Sequence, residues 1–419
     1  MYSTTTILQS KKRIFVLPVK KEEHTNDLQR PPVFSGTRQK LIRLLIWLNI
    51  LVVSLYIFRN PYAAIIQTKR LLRFRNKFRN GHTLKKYARS GNRYFFTYNA
   101  PGWPSAAFNR YIRHQLKNIK DGVNNTSIHT LLFGITKKCG FKCEHCCEWE
   151  NLNKPEVLSV GNMVEIVHRF QQLGVTQIQL SGGEPMNRFQ DILFLLDNAK
   201  KGTDFWILTS GYNFTADKAI LLKQHGLTGI TISLDHCDEA LHDAFRGVTG
   251  SFKRVFHAAA CARHAGLAIC FSICATKKFI ALPNLLRYAE LAKEAGASFI
   301  QILEPQAVGH YARQVVSLPD SQINQLEQFY ELMNYDEPSF IGYPIISYHG
   351  YYSRRIGCAG SGKDFLYVDT DGDVHSCSFC QHKLFSALDE GLGNHLQQLK
   401  RTGCAVFSKC EKNKHHETA

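Results

Sequence analysis

From Ile128 onward, apolar runs of strand length alternate six times with amphipathic helical patterns, and few folds accommodate such a chain. The candidate strands are Thr130–Thr136, Gln177–Ser181, Phe205–Ser210, Ile230–Leu234, Ala268–Cys274 and Phe299–Leu303. Helical patterns follow near 160–173, 188–201, 214–225, 252–266, 283–295 and 320–334. Strands that read as near-continuous apolar runs are covered on both faces, so the pattern predicts a parallel sheet with right-handed crossovers. In parallel α/β barrels the loops at the carboxyl edge carry the chemistry.

The distinctive residues fall at those strand ends. Cys139, Cys143 and Cys146 follow the first strand in C-x3-C-x2-C spacing. Three thiolates hold three corners of a four-iron cube and leave one iron open to another ligand. A structural zinc site would need four ligands, and the nearest further donors, His145 and Cys147, share the same short loop. Ser181-Gly182-Gly183-Glu184-Pro185 follows the second strand. There Gly182 and Gly183 let backbone approach a ligand, and Glu184 offers an acceptor for an ammonium group. Thr209-Ser210-Gly211 ends the third strand, and Ser233 and Asp235 end the fourth. Taken singly, a Ser or Asp at such a place also reads as a turn or helix cap. Cys237, Cys261, Cys270 and Cys274 lack ligand spacing and read as small core residues, with Cys274 near enough to a strand end to face a cavity.

Cys139-Gly140-Phe141-Lys142-Cys143-Glu144-His145-Cys146 together with Gly-Gly-Glu-Pro resembles the radical S-adenosylmethionine (radical SAM) superfamily, over roughly residues 129 to 310. The resemblance implies a partial (β/α)6 barrel and a 4Fe-4S cluster whose open iron chelates S-adenosylmethionine. It also implies reductive cleavage to a 5'-deoxyadenosyl radical that abstracts hydrogen from an unreactive carbon. By the same resemblance, Gly182, Gly183 and Glu184 hold the amino end of the cofactor. Ser233 and Asp235 lie near its ribose, Arg246 contacts its carboxylate, and His145 stands where an aromatic residue usually precedes the third cysteine. An imidazole can still stack on adenine. The cluster needs a low-potential electron donor such as flavodoxin or ferredoxin.

A second cysteine group closes the sequence: Cys358, Cys377 and Cys380, then Cys404 and Cys410. Between them Phe365–Val374 reads as a β-hairpin with an Asp-Gly turn at Asp371-Gly372. This tail is similar to the SPASM or shorter twitch extension, which implies an auxiliary 4Fe-4S cluster held by Cys358, Cys377, Cys380 and one of the last two cysteines. A zinc knuckle from the same thiolates is the alternative.

The net positive charge is confined to one end. Residues 1–120 contain 24 Lys and Arg against 3 Asp and Glu, or +21, while the other 299 residues carry 28 against 31, or −3. A near-neutral body argues against a nucleic-acid clamp. The basic part surrounds Leu44–Phe58, an uncharged apolar run that extends back to Leu41 past Arg43. As an 18-residue helix it would span about 27 Å, close to a bilayer core of about 30 Å. Trp47 and Tyr56 sit toward its ends, and Lys69–Arg79 alternates cations with apolar residues as an anionic leaflet would favour. The alternative is a helix buried against the body. Residues 94–130 read as a lead-in strand, turn and helix with a packing role.

The expected organisation is a disordered N-terminus (1–37), a transmembrane or membrane-anchoring helix (38–60), a basic membrane-proximal linker and lead-in (61–127), a radical SAM core (128–335) and a cysteine-rich auxiliary cluster domain (336–419). A reduced cluster places the body in the cytoplasm. Auxiliary clusters in the family accompany modification of peptides and proteins, so a peptide or protein substrate comes first. The membrane helix favours a lipid or membrane-bound acceptor instead, and a cluster protein that only transfers electrons is the reading outside enzymology.

Overall fold

The six apolar runs are strands of one curled sheet, which also takes in segments from later in the sequence. The computed structural model describes residues 33–78, 82, 85–121, 128–336, 338–358, 360 and 364–402; residues 1–32, Cys404 and Cys410 lie outside these. In chain order the elements are α1 (Gly36–Phe58), α2 (Pro61–Phe78), β1 (Ala88–Ser90), β2 (Arg93–Phe95), α3 (Ala106–Asp121), β3 (Thr130–Thr136), α4 (Val160–Gln172), β4 (Gln177–Gly182), α5 (Phe189–Asn198), β5 (Asp204–Thr209), α6 (Ala216–Gln224) and β6 (Leu227–Ser233). There follow α7 (Glu239–Arg246), α8 (Ser251–His264), β7 (Ala268–Cys274), α9 (Leu282–Glu294), β8 (Phe299–Leu303), α10 (Asp320–Glu331), β9 (Ile345–Tyr348), α11 (His349–Ile356), β10 (Phe365–Val368), β11 (Asp373–His375), β12 (Phe385–Ser386) and α12 (Leu392–Thr402). The large sheet runs β12-β11-β10-β3-β4-β5-β6-β7-β8-β9, parallel from β10 through β9, with β11 and β12 antiparallel at one edge.

Two features depart from the sequence expectation. A seventh parallel strand, β9, follows α10 and pairs with β8. The predicted hairpin forms as β10 and β11, with Asp369 Oδ1 accepting from the amides of Asp371 and Asp373, both at 2.9 Å. It lies within the large sheet, because β10 pairs in parallel with β3, Phe365 opposite Thr130.

The sheet curls. Trp206 on β5 and Phe299 on β8 are three strands apart, which in a flat sheet means about 14 Å. Their rings are 6.2 Å apart, so this face is concave. On the other face Ile178, Leu180, Ile207, Ile230 and Ile232 are buried in the main core, where the helices pack. The lead-in fills the amino end of the concave face. Phe95 and Tyr98 pack with Trp206, Cys270 and Phe299, the Tyr98 hydroxyl bonds Thr231 Oγ1 at 2.7 Å, and Gln177 Nε2 donates to Tyr98 O at 3.0 Å. The packing role expected of residues 94–130 is therefore that of a plug.

Lys86 fastens this plug to the far edge. It is 1% exposed, and its ammonium donates to the carbonyls of Phe340, Tyr343 and Pro344 at 3.3, 3.1 and 3.0 Å. Lys86→Met should leave these acceptors without their donor and cost about 2–3 kcal/mol in urea unfolding. An unchanged midpoint would show that the turn is held by other contacts.

At the N-terminal end, residues 33–37, expected to lack structure, pair Phe34 with Tyr87 and open α1, because Phe34 packs on the rings of Tyr87 and Tyr94. α1 is 23 residues long, about 35 Å at 1.5 Å per residue. It turns at Arg59, whose φ is 52°, into α2, where Asn60 Oδ1 accepts from Ala63 N at 3.1 Å. Both helices pack with α3.

Candidate functional site

The sequence-predicted site residues from Cys139 to Asp235 lie at or beyond the carboxyl ends of β3, β4, β5 or β6, and Arg246 ends the helix after β6. The cysteine loop leaves β3 and is anchored at its start by Asn153, whose side chain accepts from Cys139 N at 3.1 Å and donates to Cys139 O at 3.0 Å. Lys137, 5% exposed, pairs with Asp371 in the hairpin turn at 2.6 Å. Burial pushes the Cys139 thiol up to about 11 and that of Cys146 up to about 12, and raises Cys143 as well. Left to themselves these thiols stay protonated, so a cation is needed to make them ligands.

Gly182 and Gly183 let β4 run against this loop. Gly182 has φ of 117°, and a Cβ on it would collide with Thr136 O; a Cβ on Gly183 would collide with Lys138 O. The approach is secured by Gly183 N donating to Thr136 O at 2.7 Å and Glu184 N to Lys138 O at 2.8 Å. Glu184 is 2% exposed. Its carboxylate accepts from Thr209 Oγ1 (2.7 Å), Ser210 N (2.8 Å), Ser210 Oγ (2.5 Å) and Met186 N (3.2 Å). Burial nevertheless raises its pKa, with these donors opposing. The residue read from sequence as an acceptor for an ammonium thus ties the end of β4 to the end of β5.

Asp235 and Arg246 form a buried pair beneath the loop. Arg246 Nη1 lies 3.3 Å from Asp235 Oδ2, and Asp235 Oδ1 accepts from Cys274 N at 2.9 Å. Burial opposes the arginine charge but is outweighed by Cys143, Asp235, Cys139 and Glu184, which hold it above the ordinary arginine range. Asp235 N donates to Nδ1 of His242, an imidazole that burial pushes down to about 4 and keeps neutral. Arg246 ends α7, whose Asp238 side chain caps Leu241 N at 3.0 Å. That helix also grips the cysteine loop from behind: Lys142 N donates to Arg246 O at 3.2 Å and Glu144 N to Phe245 O at 3.0 Å. His145 stacks on Phe245 with ring centroids 5.0 Å apart, and its buried Nδ1 has no hydrogen-bond partner among the described residues. Ser233 is the last residue of β6, in register with Ser272, and by strand alternation it and Cys274 share the concave face with Thr231 and Phe299.

Sequence reasoning missed a second clamp. After β8 the chain passes through a 3-10 turn, Gly309–Tyr311, that sits on the cysteine loop. His310 N donates to Cys146 O at 2.9 Å, His310 Nδ1–H donates to Cys143 O at 2.9 Å, and the imidazole stacks on Trp149 at 3.8 Å and 4°. Gly309 has φ of 54°, and a Cβ there would collide with Cys146 O. Nothing local marks His310, which lies 164 residues beyond Cys146.

In the tail, Cys358, Cys377 and Cys380 gather around Gly360. A Cβ placed on Gly360 would lie 3.2 Å from Cys377 Cβ and 3.5 Å from Cys358 Sγ, and the Cys377 and Cys380 sulfurs are 3.4 Å apart. The Cys380 thiol bonded to it brings Cys377 down to about 7. Buried polar side chains run between the neighbourhoods of the two cysteine groups. Tyr367 donates to Glu148 Oε1 at 2.5 Å, and its strand partner His375 bonds Asp369 Oδ2 at 2.9 Å and the carbonyls of Cys380 and His382.

These residues fit a bound cluster and cofactor. Two glycines bring bare backbone to the cysteine loop, a buried imidazole nitrogen lacks a partner among the described residues, and a guanidinium stands by the thiols. Among the described residues, no three His, Cys, Asp or Glu side chains converge as ligands of one metal ion. Ligands of a four-iron cube sit on separate irons and need no such point.

The model of the Radical SAM superfamily matches residues 133–278. Mycofactocin maturase MftC of Mycobacterium tuberculosis is 29% identical over 272 residues, 61% of this chain and 66% of that protein, so the match spans just under two thirds of its length. PqqA peptide cyclase of Streptomyces rochei is 28% identical over 253 residues, 59% of this chain and 68% of the relative. Among solved structures, SuiB of Streptococcus suis bound to precursor peptide SuiA superposes with a TM-score of 0.54 at 15% identity, covering 83% of this chain and 81% of that one, a likeness of fold.

Proposed function

We propose that this chain, whose residues 133–278 form a radical SAM domain and which is similar to proteins named as a maturase and a peptide cyclase, cleaves S-adenosylmethionine reductively and aims the resulting 5'-deoxyadenosyl radical at a peptide or protein side chain. The observation that carries the proposal is the meeting of the cysteine loop, Gly182-Gly183 and the Asp235–Arg246 pair at the carboxyl ends of β3, β4 and β6. When bound, the cluster supplies the electron and the cofactor the radical. This chain's own residues do the rest. Arg246 favours the thiolate forms of Cys139 and Cys143 and offers a cation for the cofactor's carboxylate. Gly182 and Gly183, having no side chains, let backbone approach its amino end, with Glu184 bracing them. Ser233 and Asp235 serve the ribose, and His145 the adenine, its Nδ1 free to bond.

Peptide substrates are favoured by similarity to proteins named as a maturase and a peptide cyclase, and by the likeness in fold to a protein bound to a precursor peptide. An auxiliary cluster on Cys358, Cys377 and Cys380 with Cys404 or Cys410 belongs to this reading, as do an open (β/α)6 barrel and a low-potential flavodoxin or ferredoxin partner. So does membrane attachment through α1 and the basic α2, with the body in the cytoplasm. α1 is long and apolar enough to cross a membrane by length and composition. A second reading, a lipid or membrane-bound acceptor, draws on the apolar residues that α1 exposes.

The test is anaerobic reconstitution with iron and sulfide, followed by dithionite and S-adenosylmethionine. About eight irons per chain with 5'-deoxyadenosine released are expected for two clusters. About four irons with nucleoside would remove the auxiliary cluster and give the tail a zinc or structural role. Iron without nucleoside, together with no binding of S-adenosylmethionine, would leave a protein that only transfers electrons.

A further inference from the structure

α1 is apolar on both faces, and the described residues cover only one of them. Gln39, Ile42, Ile46, Ile50 and Val53 recur at helical spacing and are buried, in the stretch that packs against α2 and α3. On the opposite side Leu41, Leu44, Leu45, Leu48, Val52 and Leu55 are all exposed, from 37% for Leu45 to 61% for Val52. The neighbouring helix repeats the arrangement. Ala64, Thr68 and Leu71 of α2 are buried, while Tyr62, Ile65, Ile66, Lys69 and Arg73 share its exposed face. A helix that is apolar all round is stable only when both faces are covered.

The covered face decides how the other is used. To cross a bilayer upright, α1 would either leave its packing or draw α3 into hydrocarbon. α3 carries Arg110, Arg113, His114 and Lys117, and the Arg113 guanidinium sits 5.9 Å over the Tyr56 ring near the end of α1. Charged side chains at bilayer depth are costly, whereas a helix lying in the interface sinks one face and keeps the other on protein. The cations point the same way: Arg43, Arg59, Lys69, Arg70 and Arg73 are exposed around the apolar face. A second copy docked on this face would bring two such sets together; an anionic leaflet neutralises them.

We infer that α1 and α2 form an in-plane hairpin seated in an anionic leaflet, neither helix crossing it, with the catalytic body held on the membrane by the buried side of α1. The inference rests on the membrane reading above and replaces a span with a re-entering turn at Arg59-Asn60-Pro61. Both ends of α1 and the body then lie on one side of the membrane.

The experiment uses the full chain with an N-terminal tag in inverted membrane vesicles, cytoplasmic face outward. Added protease should remove the tag and the body together. Purified protein should float with phosphatidylglycerol-containing vesicles, less so as salt rises, and Leu48→Glu with Val52→Glu should cut the floated fraction at least about tenfold while 5'-deoxyadenosine formation is unchanged. A tag that survives while the body is digested overturns the in-plane arrangement and leaves the membrane reading standing. Protein that neither sediments with membranes nor floats overturns both, and its mass by light scattering then tells whether a second copy covers the face.

Discussion

Cys143→Ala should abolish release of 5'-deoxyadenosine, to below about one hundredth of the parent chain, and lower bound iron by about four per chain. The thiol is central among the three: it is buried, its carbonyl is held by His310, and its charge faces Arg246. Removing it leaves a cube with two protein ligands. Cys147→Ala provides the contrast, since that thiol is neither in the C-x3-C-x2-C spacing nor beside Arg246, and cleavage should persist. Retained cleavage in Cys143→Ala, or equal loss in both variants with folded circular dichroism, would sink the assignment of the triplet.

Gly309→Ala should be nearly as damaging, although it touches no proposed ligand side chain. The residue sits at φ of 54°, where an L side chain is strained by about 1–2 kcal/mol, and its new methyl group would run into Cys146 O. The loop can yield only by moving the third cysteine or by releasing His310 from Cys143 O. We expect iron retention to fall and nucleoside release to drop about tenfold or more. Gly250→Ala isolates the cause: φ there is 78°, yet nothing lies within 4 Å of its Cβ position. That variant should carry the strain without the collision and keep its cluster. If both variants lose iron equally, backbone strain alone is responsible and the clamp is not.

The strands were legible because burial on both faces forces continuous apolar runs, and β3, β7 and β8 have the bounds read from sequence. β9 was not, since its four residues follow an irregular stretch and draw their partner, β8, from outside the local pattern. α7 escaped for a related reason. Only eight residues long, it buries His242 and Arg246, polar residues that no hydrophobic periodicity reports. At the site, the cysteines, glycines and Asp235 could be placed by their strand ends, but what they touch could not. Glu184 bonding to Thr209 and Ser210, the plug at Tyr98 and the His310 clamp each depend on which loops the curled sheet brings together.

The pairing of β10 with β3 has a consequence during synthesis. Phe365 lies 235 residues after its partner Thr130, and the two are neighbours in the finished sheet. At ribosomal rates of about 5–20 residues per second, β3 waits about 12–47 s with one edge unpaired, its cysteine loop already made and the hairpin that will close over it still unborn. The nascent chain therefore presents an open strand next to three uncommitted thiols. That interval ends only when the tail arrives.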